Sequence, residues 1–212
     1  MKHMKNNINV LIVDDHPAVR LAVKYVLNTA GYSSVMQASS GIEAINESGK
    51  INFDVIILDL DLPHIDGLEV VKRIRRTNPT VRILILSAMV TDVYVMRCHA
   101  AGVNGFMEKN EDIENLPSVV ANIMKGFTYF PSVFGDAALK RRANMGVGVI
   151  SCLSDRELTV FNSLVIGKSN LEIANELFLS NKTVSTYKAR IFQKLGVSNI
   201  AELIDISKQV EG

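Results

Sequence analysis

The side chains most able to do chemistry in this chain are five polar residues spread over its first half. They are, in order, Asp14, Asp15, Asp59, Ser87 and Lys109. Carboxylates bind divalent cations, while a hydroxyl and an ammonium group stabilise the negative charge of a phosphoryl group. The set therefore predicts a phosphate-handling site, provided that the fold brings these residues together.

Each of these residues, or the pair in the case of Asp14 and Asp15, directly follows a short run that predicts a β-strand. The runs are Val10–Val13, Val55–Leu58, Ile83–Leu86 and Gly105–Glu108, with a weaker fifth strand at Ser33–Ala38. The first three are continuously apolar, as is typical of parallel strands buried on both faces. Segments with helical spacing follow the strands, and they cover Val19–Thr29, Ile42–Glu47, Leu68–Thr77, Val93–Ala101 and Ile113–Lys125.

This alternation of strand and helix predicts an α/β fold with a five-stranded, doubly wound parallel sheet. Ligands of such sheets bind beyond the carboxyl ends of the strands, where the strand order reverses. Because the polar residues stand at those ends, we expect one crevice to hold them.

Composition limits the possible classes of protein. At 212 residues with 48% apolar content, the chain is long enough for two globular domains. No apolar stretch reaches the ~18 residues of a membrane span, and the N-terminus has no apolar signal core, so we expect a cytoplasmic protein with no membrane partner. Cys98 and Cys152 are interpreted as reduced thiols, and the net charge of +1 indicates no particular partner.

Helical periodicity lapses after Lys125, where glycines and Pro131 become frequent. We therefore predict a first domain at residues 1–126, a linker at 127–150 and a second domain at 151–212. The aromatic segment 127–130 is expected to pack on the first domain, whereas 137–149, with the basic cluster Lys140–Arg142, is interpreted as solvated linker.

The second domain reads as all-helical. Ser154 with Glu157 three residues later predicts a capping box, which opens a helix that runs to about Ile166. Further helices are predicted at Asn170–Phe178, from Ser180 to Leu195, and at Ile200–Lys208. Short helices joined by a tight turn indicate a helix-turn-helix, whose later helix reads DNA.

The charge pattern of that helix favours nucleic acid. Val184, Ile191 and Leu195 share the face predicted to be core. The opposite face presents residues suited to base edges, namely Lys182, Ser185, Thr186, Ala189 and Gln193. Flanking cations are predicted to contact phosphates, namely Lys188, Arg190 and Lys194. The alternative is a solvated helix face in a small bundle, and the turn pattern favours DNA over it.

These motifs resemble a known family over nearly the whole chain. Residues 1–125 resemble the flavodoxin-like receiver domain of a bacterial two-component response regulator, and Leu153–Ser207 resembles a LuxR-type domain of the NarL/FixJ-like kind. The stretches Thr128–Pro131 and Leu179–Lys188 are similar to the BvgA and EvgA branch in particular.

Three clustered carboxylates repel one another, so a divalent cation is expected, and Mg²⁺ suits oxygen ligands. The resemblance implies that Asp59 is the phosphoacceptor, that Asp15, Asp59 and the backbone carbonyl of Asp61 ligate Mg²⁺ directly, and that Asp14 acts through water. The histidines at positions 16, 64 and 99 form no recognisable ligand set, and we interpret them as surface or loop residues.

The resemblance also assigns roles around the phosphoryl group. Lys109 is expected to neutralise its charge, and Ser87 to donate a hydrogen bond to one of its oxygens. Phe106 matches a switch aromatic that is often tyrosine; without a hydroxyl, it has packing as its sole means of switching, and an ordinary strand position is the alternative.

Together these features predict a phosphorylation-dependent, DNA-binding transcription regulator that is not an enzyme and that dimerises on double-stranded DNA. The resemblance implies a sensor histidine kinase or a phosphotransfer domain as phosphoryl donor. One alternative is a constitutive DNA-binding protein whose receiver serves only for dimerisation. Another is a haloacid-dehalogenase-type phosphohydrolase, suggested by Asp59-Leu60-Asp61, although that motif is expected on a first strand.

Overall fold

The computed structural model describes residues 8–88, 92–131 and 150–211. Residues 8–88 and 97–131 form one compact unit, and residues 92–96 and 150–211 form a second. The predicted free linker at 137–149, including Lys140–Arg142, lies outside the described residues, and the domain boundaries at 126 and 150 stay predictions. Among the described helices, none has the length and apolar character needed to cross a membrane.

The first unit contains the predicted five-stranded parallel sheet. Its strands are β1 (Asn9–Val13), β2 (Ser34–Ala38), β3 (Val55–Leu58), β4 (Arg82–Ser87) and β5 (Gly105–Glu108). Their spatial order is β2-β1-β3-β4-β5, and each neighbouring pair is parallel. The order reverses beside β1, so the carboxyl ends of β1 and β3 flank the crevice where ligands of doubly wound sheets bind.

Helices follow the strands in alternation. They are α1 (Pro17–Thr29), α2 (Gly41–Ser48), α3 (Gly67–Thr77), α4 (Asp92–Ala100) and α5 (Leu116–Met124), with a 3₁₀ turn at Ile113–Asn115. The sequence predicted one helix over 113–125, but Pro117 falls at the second position of α5. Proline has no N–H, so Pro117 cannot donate the α-helical hydrogen bond to the carbonyl of Ile113, and the segment opens as a 3₁₀ turn before α5 begins at Leu116.

The three central strands are buried on both faces, as their apolar runs predicted. Every residue of β3 is at most 1% exposed, and Val10–Val13 of β1 are equally buried. Side chains from alternate positions of the strands pack against α1 and α5 in one core layer. This packing holds the strand ends rigidly and thereby fixes the backbone from which the polar residues project.

A short extension lengthens this sheet beyond β5. Tyr129 lies parallel to Gly105, its N–H donates to the carbonyl of Asn104 (3.1 Å), and its carbonyl accepts from the N–H of Phe106 (2.6 Å). The structure therefore agrees with the prediction that the aromatic segment 127–130 packs on the first domain.

The second unit is helical throughout. Its elements are a 3₁₀ turn (Ile150–Cys152), α6 (Asp155–Val165), α7 (Asn170–Glu176), α8 (Asn181–Leu195) and α9 (Ile200–Glu211). The capping box of Ser154 and Glu157 is present, and Ser180 caps α8 by accepting from the N–H of Thr183. Helix α8 packs against α6 and α7, while α9 packs on α6.

The turn between α7 and α8 differs from the prediction at one end. Helix α7 ends at Glu176 rather than at Phe178, because Phe178 adopts a left-handed conformation with φ of 53°. A left-handed residue ends a right-handed helix, so the turn begins two residues early. The result is a tight helix-turn-helix made of α7 and α8.

Candidate functional site

The strand pairing brings the predicted polar residues to one edge of the sheet. Val13 pairs with Leu58, and the N–H of Asp59 donates to the carbonyl of Val13 (2.9 Å). On the other side, the N–H of Lys109 donates to the carbonyl of Ser87 (2.9 Å). Backbone hydrogen bonds thus place the ends of β1 and β3, and of β4 and β5, side by side.

At the centre of this edge an ammonium group joins two buried carboxylates. The Nζ atom of Lys109 lies 2.7 Å from Oδ2 of Asp14 and 2.7 Å from Oδ2 of Asp59. The two carboxylate side chains are 3% and 1% exposed, and the lysine side chain is 18% exposed. The lysine offsets the repulsion between the two acids, although one positive charge faces two negative charges there.

The environment changes the proton affinities of both partners. Burial raises the pKa of Asp59, and the charge of Asp14 adds to that rise, while Lys109 opposes it. For Lys109, burial acts to lower the pKa, but the charges and hydrogen bonds of Asp59 and Asp14 outweigh burial, so its pKa is raised. An ionised Asp59 is therefore costly in this site without further positive charge.

The acidic residues fit a divalent cation. Asp14, Asp15 and Asp59 bring carboxylate oxygens into one small volume. Oxygen donors of this kind are what Mg²⁺ takes. The backbone carbonyl of Asp61 stays a predicted ligand; its N–H donates to Oδ1 of Asp59 (3.3 Å).

His16 lies closer to this cluster than the sequence indicated. Its side chain is 65% exposed, as expected of a surface residue, but Nδ1 lies 2.8 Å from Oδ1 of Asp15 and 3.3 Å from Oδ1 of Asp14. The imidazole and the three carboxylates together form a candidate ligand set. The exposure agrees with the predicted surface position, and whether this histidine binds a metal stays open at this point.

Two predicted switch residues are fully buried. Ser87 ends β4 and Phe106 lies in β5, each with 0% exposure. Phe106 pairs with Ile85 in the sheet, and its N–H is held by Tyr129 as described above. A buried position suits a residue that responds to changes in packing, and their predicted roles toward a phosphoryl group stay predictions.

The loop after β5 is tied to the added segment at Tyr129. One carboxylate oxygen of Glu111 accepts from the N–H of Glu108 (2.9 Å), and the other accepts from the Tyr129 hydroxyl (2.8 Å). The hydrogen bond to Glu111, together with burial, raises the pKa of the tyrosine. Lys109 lies between Glu108 and Glu111, so these hydrogen bonds hold the backbone of the lysine in place. They were not predicted from the sequence.

The second candidate site is the outer face of α8. Of the predicted core face, Val184 and Ile191 are buried, whereas Leu195 at the end of the helix is half-buried. The residues predicted to meet base edges are all exposed, namely Lys182, Ser185, Thr186, Ala189 and Gln193. Arg190 is exposed as well, whereas Lys188 is half-buried with its ammonium 5.6 Å from the centre of the Phe192 ring.

A cavity of about 290 Å³ opens on this face. Lys182 and Arg190 line it, and so do Thr183 and Tyr187, which the sequence analysis did not single out. Cations beside hydroxyl groups are the usual contacts of DNA phosphates. Thr183 and Tyr187 lie on the same helix between the predicted residues. They are half-buried at the border between the core face and the outer face, so helical spacing did not assign them to either.

Lys194 differs from the other cations of α8. Its ammonium lies 2.6 Å from Oε2 of Glu157 and also donates to the carbonyl of Cys152 (3.2 Å). Burial acts to raise the pKa of Glu157, but hydrogen bonds from Lys194 and Ser154 outweigh burial, so the pKa is lowered. Lys194 thus ties α8 to α6, and its contact with phosphate stays a prediction.

Comparisons with known proteins match both units. Residues 10–121 match the family model described as a response regulator receiver domain, and residues 151–207 match that of bacterial regulatory proteins of the luxR family. The transcription regulator of virulence factors BvgA from Bordetella pertussis is 37% identical over 94% of this chain and 96% of its own length. The Fimbriae Z protein of Salmonella typhimurium is 38% identical over 96% of this chain and 97% of its own length.

A solved structure gives the same result for the fold. RcsB from Salmonella enterica serovar Typhimurium, bound to the promoter rprA in the presence of the phosphomimetic BeF₃⁻, aligns with a TM-score of 0.62 at 28% identity. The alignment covers 95% of this chain and 99% of that chain.

Proposed function

Since this chain belongs to the response regulators that join a receiver domain to a LuxR-type DNA-binding domain, we propose that phosphorylation of Asp59 controls its binding to DNA. The observation that carries the proposal is the ammonium of Lys109, 2.7 Å from a buried oxygen of both Asp14 and Asp59. A carboxylate paired with a lysine at the crevice of a doubly wound sheet suits the acceptance of a phosphoryl group.

In this proposal an oxygen of Asp59 forms the bond to phosphorus while the bond between phosphorus and the donor breaks. Asp14, Asp15, Asp59 and the backbone carbonyl of Asp61 would hold Mg²⁺, which supplies positive charge against the carboxylates and the phosphoryl oxygens. Lys109 already lies beside Asp59 and neutralises part of the charge that arrives. Ser87 would donate its hydroxyl to a phosphoryl oxygen, and Phe106 would repack around it.

The donor in this scheme is a sensor histidine kinase or a phosphotransfer domain, as the receiver domain implies. Helix α8 would enter the major groove of double-stranded DNA, with Lys182 and Arg190 placed for phosphates. A homodimer would present two such helices to two half-sites, and pairing raises the effective concentration of the second contact. BvgA is a transcription regulator, which supports a regulator rather than an enzyme.

The test uses the full chain with Mg²⁺ and acetyl phosphate. Intact-mass spectrometry and gel filtration are run on the native protein, on Asp59→Ala, and on Glu69→Gln as a control, because Glu69 is an exposed acid paired with Arg73 on α3. We expect one labile phosphoryl group and a shift to dimer for the native protein and the control, and neither change for Asp59→Ala.

DNA binding distinguishes the constitutive alternative. The affinity of each protein is measured before and after treatment with acetyl phosphate. The DNA is a random-sequence duplex and a duplex selected from a random pool for binding to the native protein. Higher affinity of the phosphorylated native protein supports the proposal. Equal affinity of native protein and Asp59→Ala under both conditions would instead support a constitutive DNA-binding protein.

A further inference from the structure

The imidazole beside the acidic cluster carries an inference about which metal the site selects, and this inference rests on the proposed function. We propose that His16 is an additional metal ligand, so that Asp14, Asp15, His16 and Asp59 bind a first-row transition-metal dication such as Mn²⁺ or Co²⁺ more selectively than carboxylates alone would. The carboxylate oxygens alone are sufficient ligands for Mg²⁺, which does not need a nitrogen donor.

The donor atoms have the spacing of ligands that share one ion. Neighbouring ligands that lie at right angles on an octahedral ion with bonds of about 2.1 Å are about 3.0 Å apart. Nδ1 of His16 lies 2.8 Å from Oδ1 of Asp15 and 3.3 Å from Oδ1 of Asp14. The imidazole nitrogen therefore already stands at ligand-to-ligand distance from two carboxylate oxygens.

The whole set is nearly compact enough to share one ion. All candidate donor atoms lie within 4.8 Å of one another. Opposite ligands on the same ion are about 4.2 Å apart, so the set has to contract only by some tenths of an ångström.

The backbone also holds His16 in place. It is the N-cap residue of α1, and its N–H donates to Oδ1 of Asp14 (2.8 Å). Pro17 follows and restricts His16 to an extended conformation. Arg20 donates to the carbonyl of Asp14 (2.6 Å), which fixes the other side of the loop. A ligand on a fixed backbone binds metal with less loss of conformational entropy.

The preferred ligands of Mg²⁺ and of the transition metals differ. Mg²⁺ takes oxygen ligands and retains several waters, whereas imidazole is a common ligand of the later transition metals. Affinity for a mixed nitrogen and oxygen site rises from Mn²⁺ through Co²⁺. The alternative explanation of the short contacts is an ion pair between protonated His16 and the acids. An ion pair would compete with every dication alike, so the two explanations predict different selectivity.

The experiment measures binding of Mg²⁺, Mn²⁺ and Co²⁺ by calorimetry at one fixed pH, together with the visible absorption of bound Co²⁺. The proteins are the full-length native chain, His16→Ala, His16→Asp, and the control His99→Ala, whose imidazole lies against Phe130 instead. We expect His16→Ala to weaken Mn²⁺ and Co²⁺ binding about tenfold or more and to change Mg²⁺ binding less than about threefold.

Two further readouts make the result decisive. The Co²⁺ absorption of His16→Ala should shift because a nitrogen ligand is lost, and His16→Asp, which supplies an oxygen, should move the preference toward Mg²⁺. Equal changes for all three ions in His16→Ala, with an unchanged Co²⁺ spectrum, would overturn the inference in favour of the ion pair.

Phosphorylation with acetyl phosphate and Mg²⁺ is measured in parallel, so that this inference and the proposed function fail separately. Labelling of Asp59 in native protein and in His16→Ala, with unchanged metal selectivity, would remove the role of His16 alone. Absence of labelling in the native protein with any of the three ions would remove the proposed function itself.

Discussion

Burial destabilises the ionised form of Asp59, whereas accepting a phosphoryl group requires that form. The raised pKa of Asp59 records this conflict, and Lys109 relieves it only in part. Any cation bound by the neighbouring carboxylates removes the remainder. The same residue therefore links the stability of the first unit to metal binding.

We predict that Asp59→Asn stabilises the chain without metal at neutral pH. The folded-state pKa of Asp59 lies above its unfolded value of about 3.9, so the native protein loses stability as the pH rises from there through the folded-state pKa. The amide does not ionise, so the gain should be present at pH 7.5 and absent near pH 3. Scanning calorimetry in EDTA measures it, and added Mg²⁺ should stabilise the native protein more than the variant.

Glu157 gives the opposite sign in the second unit. Its pKa is lowered, so its contribution to stability is present above the unfolded pKa of about 4.3 and is lost as the pH falls through the folded-state pKa. We expect Glu157→Gln to cost about 1 kcal/mol at pH 7, since water screens the 40%-exposed Lys194. Urea unfolding followed by circular dichroism should show the difference shrink as the pH falls below about 4.3. A constant difference from pH 7 to pH 3 would contradict the assignment.

Among individual residues, the sequence predicted the position of those that directly follow an apolar strand. The order of the acids, Ser87 and Lys109 predicted their convergence, and the structure brings Asp14, Asp59 and Lys109 into contact. His16 was interpreted as a surface residue, and it is exposed, but its 2.8 Å distance to Asp15 depends on the loop backbone, which sequence spacing does not reveal. The hydrogen bond between Glu111 and Tyr129 also escaped notice, because neither strand pattern nor helical spacing relates residues 18 positions apart.

At the scale of elements, α3 begins in direct contact with the loop that carries Asp59. The N–H of Gly67 donates to the carbonyl of Leu60 (3.2 Å). A Cβ atom on Gly67 would lie 2.6 Å from Cα of Leu60 and 2.8 Å from the carbonyl oxygen of Asp59. These are backbone atoms, so a side chain here has to displace the loop rather than push aside a flexible neighbour.

We therefore predict that Gly67→Ala destabilises the first unit by about 2 kcal/mol and slows phosphorylation by acetyl phosphate. Gly49→Ala is the matched control, because Gly49 has a right-handed helical conformation and its added Cβ would meet nothing closer than 3.5 Å. Calorimetry and the rate of mass increase measure the two effects. Native stability in Gly67→Ala would show that the loop has room that the structure does not contain.

Elements were predictable where periodicity decided them and less so at their ends. Continuous apolar runs predicted β1, β3 and β4, because burial on both faces leaves that pattern. The start of α5 and the end of α7 were missed, since Pro117 and the left-handed Phe178 act through local backbone conformation rather than hydrophobic pattern. A bulky residue in the left-handed region is rare, so sequence gives no reason to expect it.

At the scale of the whole molecule, the proposed function makes DNA binding strongly dependent on salt. Each lysine or arginine that contacts a phosphate releases counterions, so losing one lowers the slope of log affinity against log salt by about one per subunit. We expect this result for Lys182→Ala and for Arg190→Ala, which line the cavity on α8.

Lys194→Ala is the matched control for that experiment. The sequence predicted a phosphate contact for Lys194, but its ammonium is paired with Glu157, so we expect this variant to lose stability while retaining the native salt slope. Fluorescence anisotropy of a labelled duplex between about 50 and 200 mM salt gives the slopes. A lower slope for Lys194→Ala but not for the other two variants would reverse our assignment of phosphate contacts on α8.

The segment around Tyr129 has a consequence for how this chain can be divided. Strand β5 is an outer strand of the sheet, and Tyr129 occupies its free hydrogen-bonding edge. A receiver fragment that stops at residue 126 would leave the N–H of Phe106 and the carbonyl of Asn104 without these partners. Exposed strand edges template pairing between molecules, so such a fragment should aggregate in solution where one ending after Pro131 stays dispersed.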